Sequence, residues 1–380
     1  MNMKNIIYAD NAATTKLDLE AFEAMKPYLL EEYGNPSQPY FFSKKAKLAM
    51  KNARYTIAEC INAEPEQIFF TSGGTESDNW VIKEYGFPAD DKTIITSEIE
   101  HHAILNSCGY MKDAGRATIN YIPVDSEGVV NKESLENALV ASGSSKLVSI
   151  MLANNEIGTI QNIKDLCRIS HGYGAAFHTD AVQAVGHIPI DVKELGVDFL
   201  SASAHKFNGP RGIGFLYSSG KKLLTPYHSG GMQESGKRAG TENVAAIVGM
   251  AKALENNCKK IEANANYITM LEEDFINRIS DLEFVRNGAP EHLPGIISLS
   301  FSGYEGEQLL HRLDLMGIAV STGSACDSVN TQTSHVLKAI GLSENLAVGT
   351  IRISLGKKNS MEDVIKLSDA LHKILQEHFS

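Results

Sequence analysis

Short apolar runs alternate with longer segments of helical spacing along the first two thirds of the chain. Each run is bounded by turn residues, which is typical of a buried strand. The predicted strands lie at 68–71, 93–96, 146–151, 174–180, 197–200 and 212–217. Helices are expected at 17–30, at 43–61 with Ser43 as the cap, and from Trp80 onward. Strands that alternate with helices predict an α/β fold with an open, largely parallel sheet.

The last third of the chain has a different pattern. Residues 243–280 are predicted to be mostly helical and to lead, as a hinge, into a second domain. Two alternating strands follow at 296–301 and 350–355, and Arg352 projects among the apolar residues of the second. A partly buried arginine usually binds a carboxylate. That carboxylate is either a protein side chain or an amino-acid substrate, and the sequence leaves both open.

The segment 199–212 carries the most distinctive candidate chemistry. It begins as an apolar run, passes through small residues and ends in Gly and Pro, with Lys206 directly after His205. Most lysines are solvated surface charges. A partly desolvated lysine has a lowered pKa and acts as a nucleophilic amine. We therefore predict a Schiff-base lysine, for which pyridoxal 5'-phosphate (PLP) is the commonest aldehyde.

Residues able to do chemistry recur where the predicted strands end. In open parallel sheets, ligands collect at the carboxyl ends of the strands. The residues at or just past these ends are Thr75, His101, Asn154, Asp180 and Lys206. Their convergence predicts one shared site.

Several of these positions also have a plainer explanation. The strand, glycines and helix start at 72–79 offer backbone N–H groups and the Thr75 hydroxyl to an anion, but an ordinary strand–helix turn has the same pattern. Asp180 can pair with a protonated pyridine nitrogen, or it can cap a helix that begins at Ala181. His101 can stack on a ring or move protons, whereas a metal site with His102 lacks nearby ligands at a sensible spacing.

The segment 321–334 contains almost nothing that packs into a core. We expect an exposed, mobile loop that carries one thiol, Cys326. Cysteine is usually buried, so a thiol in such a loop is structurally out of place. The other cysteines lie in predicted helices and are expected to be inert: Cys60, Cys108, Cys167 and Cys258.

Composition narrows the class of protein. At 380 residues the chain is long enough for a large core and for two domains. The net charge of −11 argues against nonspecific binding of nucleic acid, and no apolar run is long enough to span a membrane. The start of the sequence has no signal-peptide pattern. Five widely spaced cysteines form neither a disulfide framework nor a CxxC pair, so we expect a cytoplasmic enzyme.

Together these residues resemble the group I cysteine desulfurases of the NifS/IscS type, in the class V aminotransferase family. The resemblance spans nearly the whole chain, and its most specific motifs lie at 72–79, 178–183, 203–206, 238–243 and 323–326. It implies PLP-dependent fold type I, with a mostly parallel sheet of the seven-stranded type in the large domain and a smaller α+β C-terminal domain. The implied domains are 16–256 for PLP binding, and 1–15 with 257–380 for the small domain that carries the cysteine loop.

The resemblance also implies how the cofactor would be held. Lys206 would bind PLP covalently, and His101 would stack on its ring and help move protons. Asp180 would pair with the ring nitrogen and Gln183 with the ring oxygen. The phosphate would be held by Gly74, Thr75, Ser203 and His205. Thr241 of the partner subunit would complete this cradle, which implies a homodimer.

By the same resemblance, the substrate is L-cysteine and the products are L-alanine and a persulfide on Cys326. Asn154 would contact both PLP and the substrate, and Arg352 would bind the substrate carboxylate. The sulfur would pass to an iron–sulfur scaffold or another acceptor protein, with Cys326 as a transient iron–sulfur ligand through its persulfide. The alternatives are a selenocysteine lyase or an aminotransferase of the same family, and a non-catalytic scaffold that presents the loop.

The sequence departs from the family pattern at a few positions. Gly74 stands where relatives usually have Ala, and Tyr40 and Ser43 stand where a His and then a Gly often follow Asn-Pro-Ser. Asp327 follows Cys326 where Ser or Thr is commoner. A neighbouring carboxylate should raise the pKa of the thiol and slow its attack modestly.

Overall fold

The computed structural model describes residues 6–85, 91–222, 224–322 and 333–376. Cys326 and Asp327 lie outside these ranges. The strands are β1 Ile7–Tyr8, β2 Ile68–Thr71, β3 Lys92–Ser97, β4 Thr118–Ile122, β5 Ser145–Ser149, β6 Ala176–Asp180, β7 Phe199–Ser203, β8 Gly214–Ser218, β9 Val285–Asn287, β10 Ile296–Ser300, β11 Ile318–Ala319 and β12 Thr350–Ser354. The helices are α1 Leu19–Leu30, α2 Lys44–Cys60, α3 Gly74–Glu84, α4 His102–Asp113, α5 Lys132–Val140, α6 Ile163–Gly172, α7 Val192–Leu195, α8 Val244–Cys258, α9 Ile261–Arg278, α10 Gly306–Leu315, α11 His335–Ala339, α12 Glu344–Val348 and α13 Met361–Gln376.

The large sheet has seven strands in the order β2-β8-β7-β6-β5-β3-β4. The strands from β7 to β4 are parallel, and at one edge β8 pairs antiparallel with both β7 and β2, so that β8 alone runs against the other six strands. Successive residues along a strand, such as Ile94 and Ile95 or Phe199 and Leu200, belong to two different hydrophobic clusters. The sheet is therefore buried on both faces, which is why its strands are continuous apolar runs. The predicted fold class is confirmed.

Two local expectations, on the start of α3 and on Ser43, were wrong, and one open alternative, a helix from Ala181, is excluded. The helix α3 begins at Gly74 rather than Trp80, and its polar first turn includes Glu76, whose carboxylate accepts from the backbone N–H of Ser72 at 2.9 Å. No helix starts at Ala181; a series of turns follows β6. Ser43 precedes α2 but does not cap it, because its hydroxyl donates to the carbonyls of Gln38 and Tyr40 at 2.6 and 2.8 Å.

A second, smaller body is built on the antiparallel sheet β12-β10-β9 and the parallel pair β1–β11. Its hydrophobic cluster joins Ile7 and Ala9 to residues of α9, α10 and α13. Up to Leu254 the buried residues belong mainly to the large cluster, and from Ile268 onward mainly to the smaller one, although Leu293 and Ile296 pack in the large cluster. The proposed division between 256 and 257 stays a prediction. No helix in the described ranges is long and apolar enough to cross a membrane.

Candidate active site

A cavity of about 350 Å³ lies at the carboxyl ends of the parallel strands, beside the N-terminal segment. It adjoins a second cavity of about 330 Å³ at the start of α3. The two cavities share four lining residues, which are the predicted phosphate ligands Gly74, Thr75, Ser203 and His205. The first cavity is also lined by the predicted ring and substrate residues His101, Asp180, Gln183, Lys206 and Arg352.

Lys206 ends a single 3-10 turn that follows β7. Its Nζ donates to the carbonyl oxygens of Ala12 and Ala13 at 2.6 and 3.0 Å. The side-chain amide of Gln183 also donates to the Ala12 carbonyl, at 2.9 Å. The N-terminal segment therefore positions the amine at the cavity through main-chain carbonyl groups.

His101 is the residue that caps α4. Its Nδ1 accepts a hydrogen bond from the backbone N–H of Ala103 at 3.1 Å, so the neutral ring carries its proton on Nε2. Burial, and then the charges of Lys206 and His102, lower the pKa of His101 to about 4. The imidazole is therefore neutral near pH 7.

Asp180 is the last residue of β6, and its Oδ1 accepts from the backbone N–H of Val182 at 2.9 Å. Burial raises the pKa of Asp180 to about 6, against the lowering effects of that hydrogen bond and of Lys206. The hydrogen bond closes a turn, not a helix, so the helix-cap explanation for this residue does not hold. The carboxylate is free to serve a ligand in the cavity.

Asp78 also lines the cavity, and the sequence analysis did not identify it. It is only 1% exposed, and among the described residues its Oδ1 has no hydrogen-bond partner. The nearest cationic candidate is Nε2 of His178 at 3.6 Å, but burial lowers the pKa of His178 to about 3. Burial and the charge of Asp180 raise the pKa of Asp78 well above its usual value. Asp78 lies one helical turn after Gly74, and that spacing is the signal that could have found it.

Asn154 does not take the place expected for it. Its amide nitrogen donates to the Ile99 carbonyl and the Met151 sulfur, and its oxygen accepts from the backbone N–H groups of Glu156 and Ile157. The whole side chain is thus used inside the protein, and it is absent from the residues that line the cavity. The next residue, Asn155, lines the cavity instead.

Arg352 lies in β12 with its side chain 7% exposed. Nη2 donates to Asp10 at 2.8 Å and Nη1 to the Asn155 carbonyl at 3.0 Å, while Nε has no partner among the described residues. Asp10 is therefore the protein carboxylate that the sequence analysis left open. A substrate role stays a prediction, supported by the place of Arg352 at the cavity.

Two predicted residues are not brought to the site by the described chain. Thr241 is exposed and lines neither cavity within one subunit. Cys326 lies outside the described residues. Within the described ranges, no three His, Cys, Asp or Glu side chains are grouped so that they could hold a metal ion.

A family model described as aminotransferase class-V matches residues 7–367, so the chain belongs to this family. Within it, the chain is 47% identical to a cysteine desulfurase IscS of Dictyoglomus turgidum, over 99% of this chain and 96% of the relative. A solved NifS-like protein has 38% identity and a TM-score of 0.92, over 98% of this chain and all of the other. A solved structure of SspA in complex with cysteine has 34% identity and a TM-score of 0.83, over 93% of this chain and all of the other.

Members of this family depend on PLP, and the residues present fit that cofactor. A Cβ added at Gly74 would lie 2.5 Å from Val182 Cγ2, so a side chain there would crowd the floor of the anion cradle. The cradle combines the N-terminus of α3 with hydroxyls and an imidazole, which suits a phosphate. The buried Asp180 carboxylate suits a protonated ring nitrogen, and Lys206 suits the aldehyde.

Proposed function

We propose that the chain is a PLP-dependent cysteine desulfurase that converts L-cysteine into L-alanine and receives the sulfur on Cys326 as a persulfide. One observation carries the proposal: the Lys206 amine, the buried Asp180 carboxylate and the phosphate cradle line one continuous pair of cavities. The likeness to curated desulfurases over almost the whole chain supports the reaction.

PLP, when bound, supplies an electron sink for the substrate's α-carbon. The chain's own residues then have separate tasks. Gly74, Thr75, Ser203 and His205 hold the phosphate, and Asp180 stays charged to face the ring nitrogen. Lys206 is the proposed base, and the Ala12 and Ala13 carbonyls position its amine at the cavity. The neutral His101, protonated on Nε2, covers the ring and can donate a proton from that atom.

The substrate's carboxylate is assigned to Arg352 and Asn155. Nε of Arg352 has an unused donor, and Asp10 keeps the guanidinium plane fixed. Asn155 replaces the predicted Asn154, because only Asn155 lines the cavity. A fixed carboxylate orients the Cβ–S bond of the substrate relative to the ring.

Cys326 is the proposed nucleophile. Its thiolate attacks the substrate sulfur, an S–S bond forms, and the Cβ–S bond breaks with its electron pair left on carbon. Protonation of that carbon gives alanine. Asp327 next to the thiol should raise its pKa. An unchanged Cys326 pKa in Asp327→Ser would contradict that expectation.

The test is to incubate the PLP-loaded protein with L-cysteine and a reductant, and to quantify alanine and sulfide. We expect equal amounts of the two products, and their loss in Cys326→Ala with PLP retained. Cys167→Ala, which removes a buried helical thiol, is the matched control and should keep turnover. Alanine formation that survives in Cys326→Ala would favour a selenocysteine lyase or an aminotransferase. A colourless protein that binds no PLP would favour a non-catalytic scaffold.

A homodimer belongs to the proposal because Thr241 reaches neither cavity within one chain. A groove of about 610 Å³ lies beside this segment, lined in part by Met232 and Glu242. Met232 is 82% exposed, and the buried Oε2 of Glu242 has no partner within the described chain. A second copy of the chain would cover the exposed Met232 side chain and donate a hydrogen bond to Oε2 of Glu242.

Subunit mixing tests the contribution of Thr241. Lys206→Ala and Thr241→Val dimers should each turn over little cysteine. After mixing and exchange, about half of the molecules should contain one intact site, made of Lys206 from one chain and Thr241 from the other. Recovery of activity on mixing is expected. If a confirmed mixed dimer is as inactive as the two parent dimers, Thr241 acts in the site of its own subunit.

The sulfur acceptor is proposed from chemistry alone. A persulfide transfers sulfur to a thiol-bearing acceptor, such as an iron–sulfur scaffold protein, and Cys326 could bind a nascent cluster through its persulfide. The chemistry needs reduced thiols, and the four described cysteines are free, so we propose a reducing, cytoplasmic setting.

A further inference from the structure

Two cysteines that are far apart in sequence meet at the surface, away from the site. Cys60 ends α2 and Cys258 ends α8, and these two helices pack against each other. The Cys258 thiol lies 4.0 Å from the Cys60 carbonyl oxygen, so the two cysteines are in contact where the helices end. The two cysteines are 198 positions apart in the sequence. Both side chains are half-buried, so small reagents have access to them.

The other described thiols are in a different situation. Cys108 and Cys167 are fully buried in α4 and α6. Cys167 has the imidazole of His171 at 3.8 Å but no second thiol. Burial raises the pKa of both thiols to about 12. These two therefore serve as internal references for an inert cysteine.

We propose that Cys60 and Cys258 form a redox-active dithiol that closes into an intramolecular disulfide when it meets a hydroperoxide. The Cys258 thiolate attacks the peroxide, the O–O bond breaks, and hydroxide leaves, which gives a sulfenic acid on Cys258. Cys60 then attacks that sulfur, loses its proton, and expels water. The two thiols supply the two electrons that reduce the peroxide, and the overall products are a disulfide and water or an alcohol.

The electrostatics assign the attacking role to Cys258. The neighbouring Cys60 thiol lowers the pKa of Cys258, although burial opposes it. The neighbouring Cys258 thiol, with burial and the charges of Glu255 and Glu59, raises the pKa of Cys60. One thiol of the pair is thus the better nucleophile and the other stays protonated to resolve the intermediate.

The experiment uses full-length, PLP-loaded Cys326→Ala, which removes the fifth thiol. The protein is treated with hydrogen peroxide, denatured and alkylated, and its peptides are mapped by mass spectrometry. We expect two of the four remaining thiols to resist alkylation. A single linked peptide pair should join Cys60 to Cys258, with loss of two hydrogen atoms and reversal by dithiothreitol. Formation should be about tenfold faster than any oxidation of Cys108 or Cys167.

Single variants separate this pair from general oxidation. Cys60→Ser and Cys258→Ser should each abolish the linked pair, whereas Cys108→Ser should form it at the unchanged rate. Circular dichroism of each variant checks that it is folded. The proposal is overturned if Cys60 and Cys258 stay alkylatable while the buried thiols oxidise, or if the linkage is found only between chains on a non-reducing gel.

Discussion

Arg352, the middle residue of β12, lines the cavity and donates a hydrogen bond of 2.8 Å to Asp10 in the N-terminal segment. The strand that carries Arg352 also pairs with this segment, by a bridge between Asp10 and Ser354. The arginine is therefore held in place before any ligand arrives, with Nε left unpaired among the described residues. Such a fixed, unsaturated guanidinium is suited to a carboxylate.

We predict that Arg352→Lys raises the KM for L-cysteine by about tenfold or more, because an ammonium cannot make the forked contact. Asp10→Asn should raise KM by only about threefold, since it loosens the arginine without removing it. Steady-state kinetics on PLP-loaded protein measure both. Asp281→Asn, a surface carboxylate paired with His372, is the control and should change neither constant. An unchanged KM in Arg352→Lys would remove Arg352 from the substrate site.

His101 has two separable tasks, capping α4 and facing the cofactor ring. His101→Asn retains a side-chain oxygen that can accept from Ala103 N–H, so the helix cap survives while the aromatic ring is lost. We expect a melting temperature within about 2 °C of the unchanged protein, about tenfold weaker PLP binding, and a kcat lower by about 100-fold. Differential scanning fluorimetry, absorbance titration with PLP, and turnover measure these three effects.

The neighbouring histidine provides the comparison. His102→Asn changes the first residue of α4, whose ring does not line the cavity. It should leave PLP binding within about twofold. If His101→Asn and His102→Asn weaken PLP binding equally, the effect belongs to the α4 start and not to ring stacking.

The buried carboxyl group of Glu100 should make the protein less stable as the pH rises toward about 8. It is fully buried, and its carboxylate accepts from Ser97 Oγ and from the Met151 N–H. Burial raises its pKa to about 8 from the ordinary 4.5. Between these two values the folded chain holds a proton that the unfolded chain has lost, so the free energy of unfolding decreases as pH rises.

The effect of Glu100 on the free energy of unfolding is best measured from about pH 6.5 to about pH 8. Below about pH 6.5 the buried histidines, whose pKa values are lowered, make the protein more stable as pH rises and so oppose the effect of Glu100. We expect a loss of about 2 kcal/mol across this window in cofactor-free protein, measured by urea unfolding. Glu100→Gln should flatten much of that slope, and Glu98→Gln, at an exposed position, should not. If the free energy of unfolding of Glu100→Gln falls with pH as steeply as that of the unchanged protein, other groups, such as Asp78, cause the decrease.

The sequence predicted the large sheet because strands buried on both faces are continuous apolar runs. It also placed Lys206, Asp180 and the 72–79 anion site, because parallel strands bring their carboxyl ends together. It named Asn154 and not Asn155, because adjacent residues point in different directions and only the tertiary contacts with Ile99 and Met151 show that the Asn154 side chain is used inside the protein. The same limit hid Asp10 as the partner of Arg352, a contact across 342 residues.

The Cys60–Cys258 pair shows this limit most clearly. Each cysteine alone had the pattern of an inert helical residue, and its reactivity depends on a neighbour that arrives through the packing of α2 on α8. Asp78 was missed for a different reason. The helix after β2 was expected to begin only at Trp80, so the position of Asp78 one helical turn beyond Gly74 was not evident.

The side chain of Val182 leaves room only for a glycine at position 74 in this chain. A Cβ at position 74 would lie 2.5 Å from Val182 Cγ2, much closer than real contacts allow, and valine has little freedom to move aside. Gly74→Ala should therefore displace the start of α3 or the turn after Asp180. Overpacking of this kind typically costs about 1–3 kcal/mol, so PLP binding should weaken by about tenfold.

A second substitution tests the cause. Val182→Ala removes the clashing methyl group, so Gly74→Ala with Val182→Ala should bind PLP within about threefold of the unchanged chain. Val182→Ala alone should have a small effect, because it only opens space beside a glycine. The measurement is the PLP dissociation constant of the four proteins, from the visible absorbance of the bound cofactor. Strict additivity of the two substitutions would show that position 74 affects the cradle by a route other than Val182, such as the conformation of Gly73.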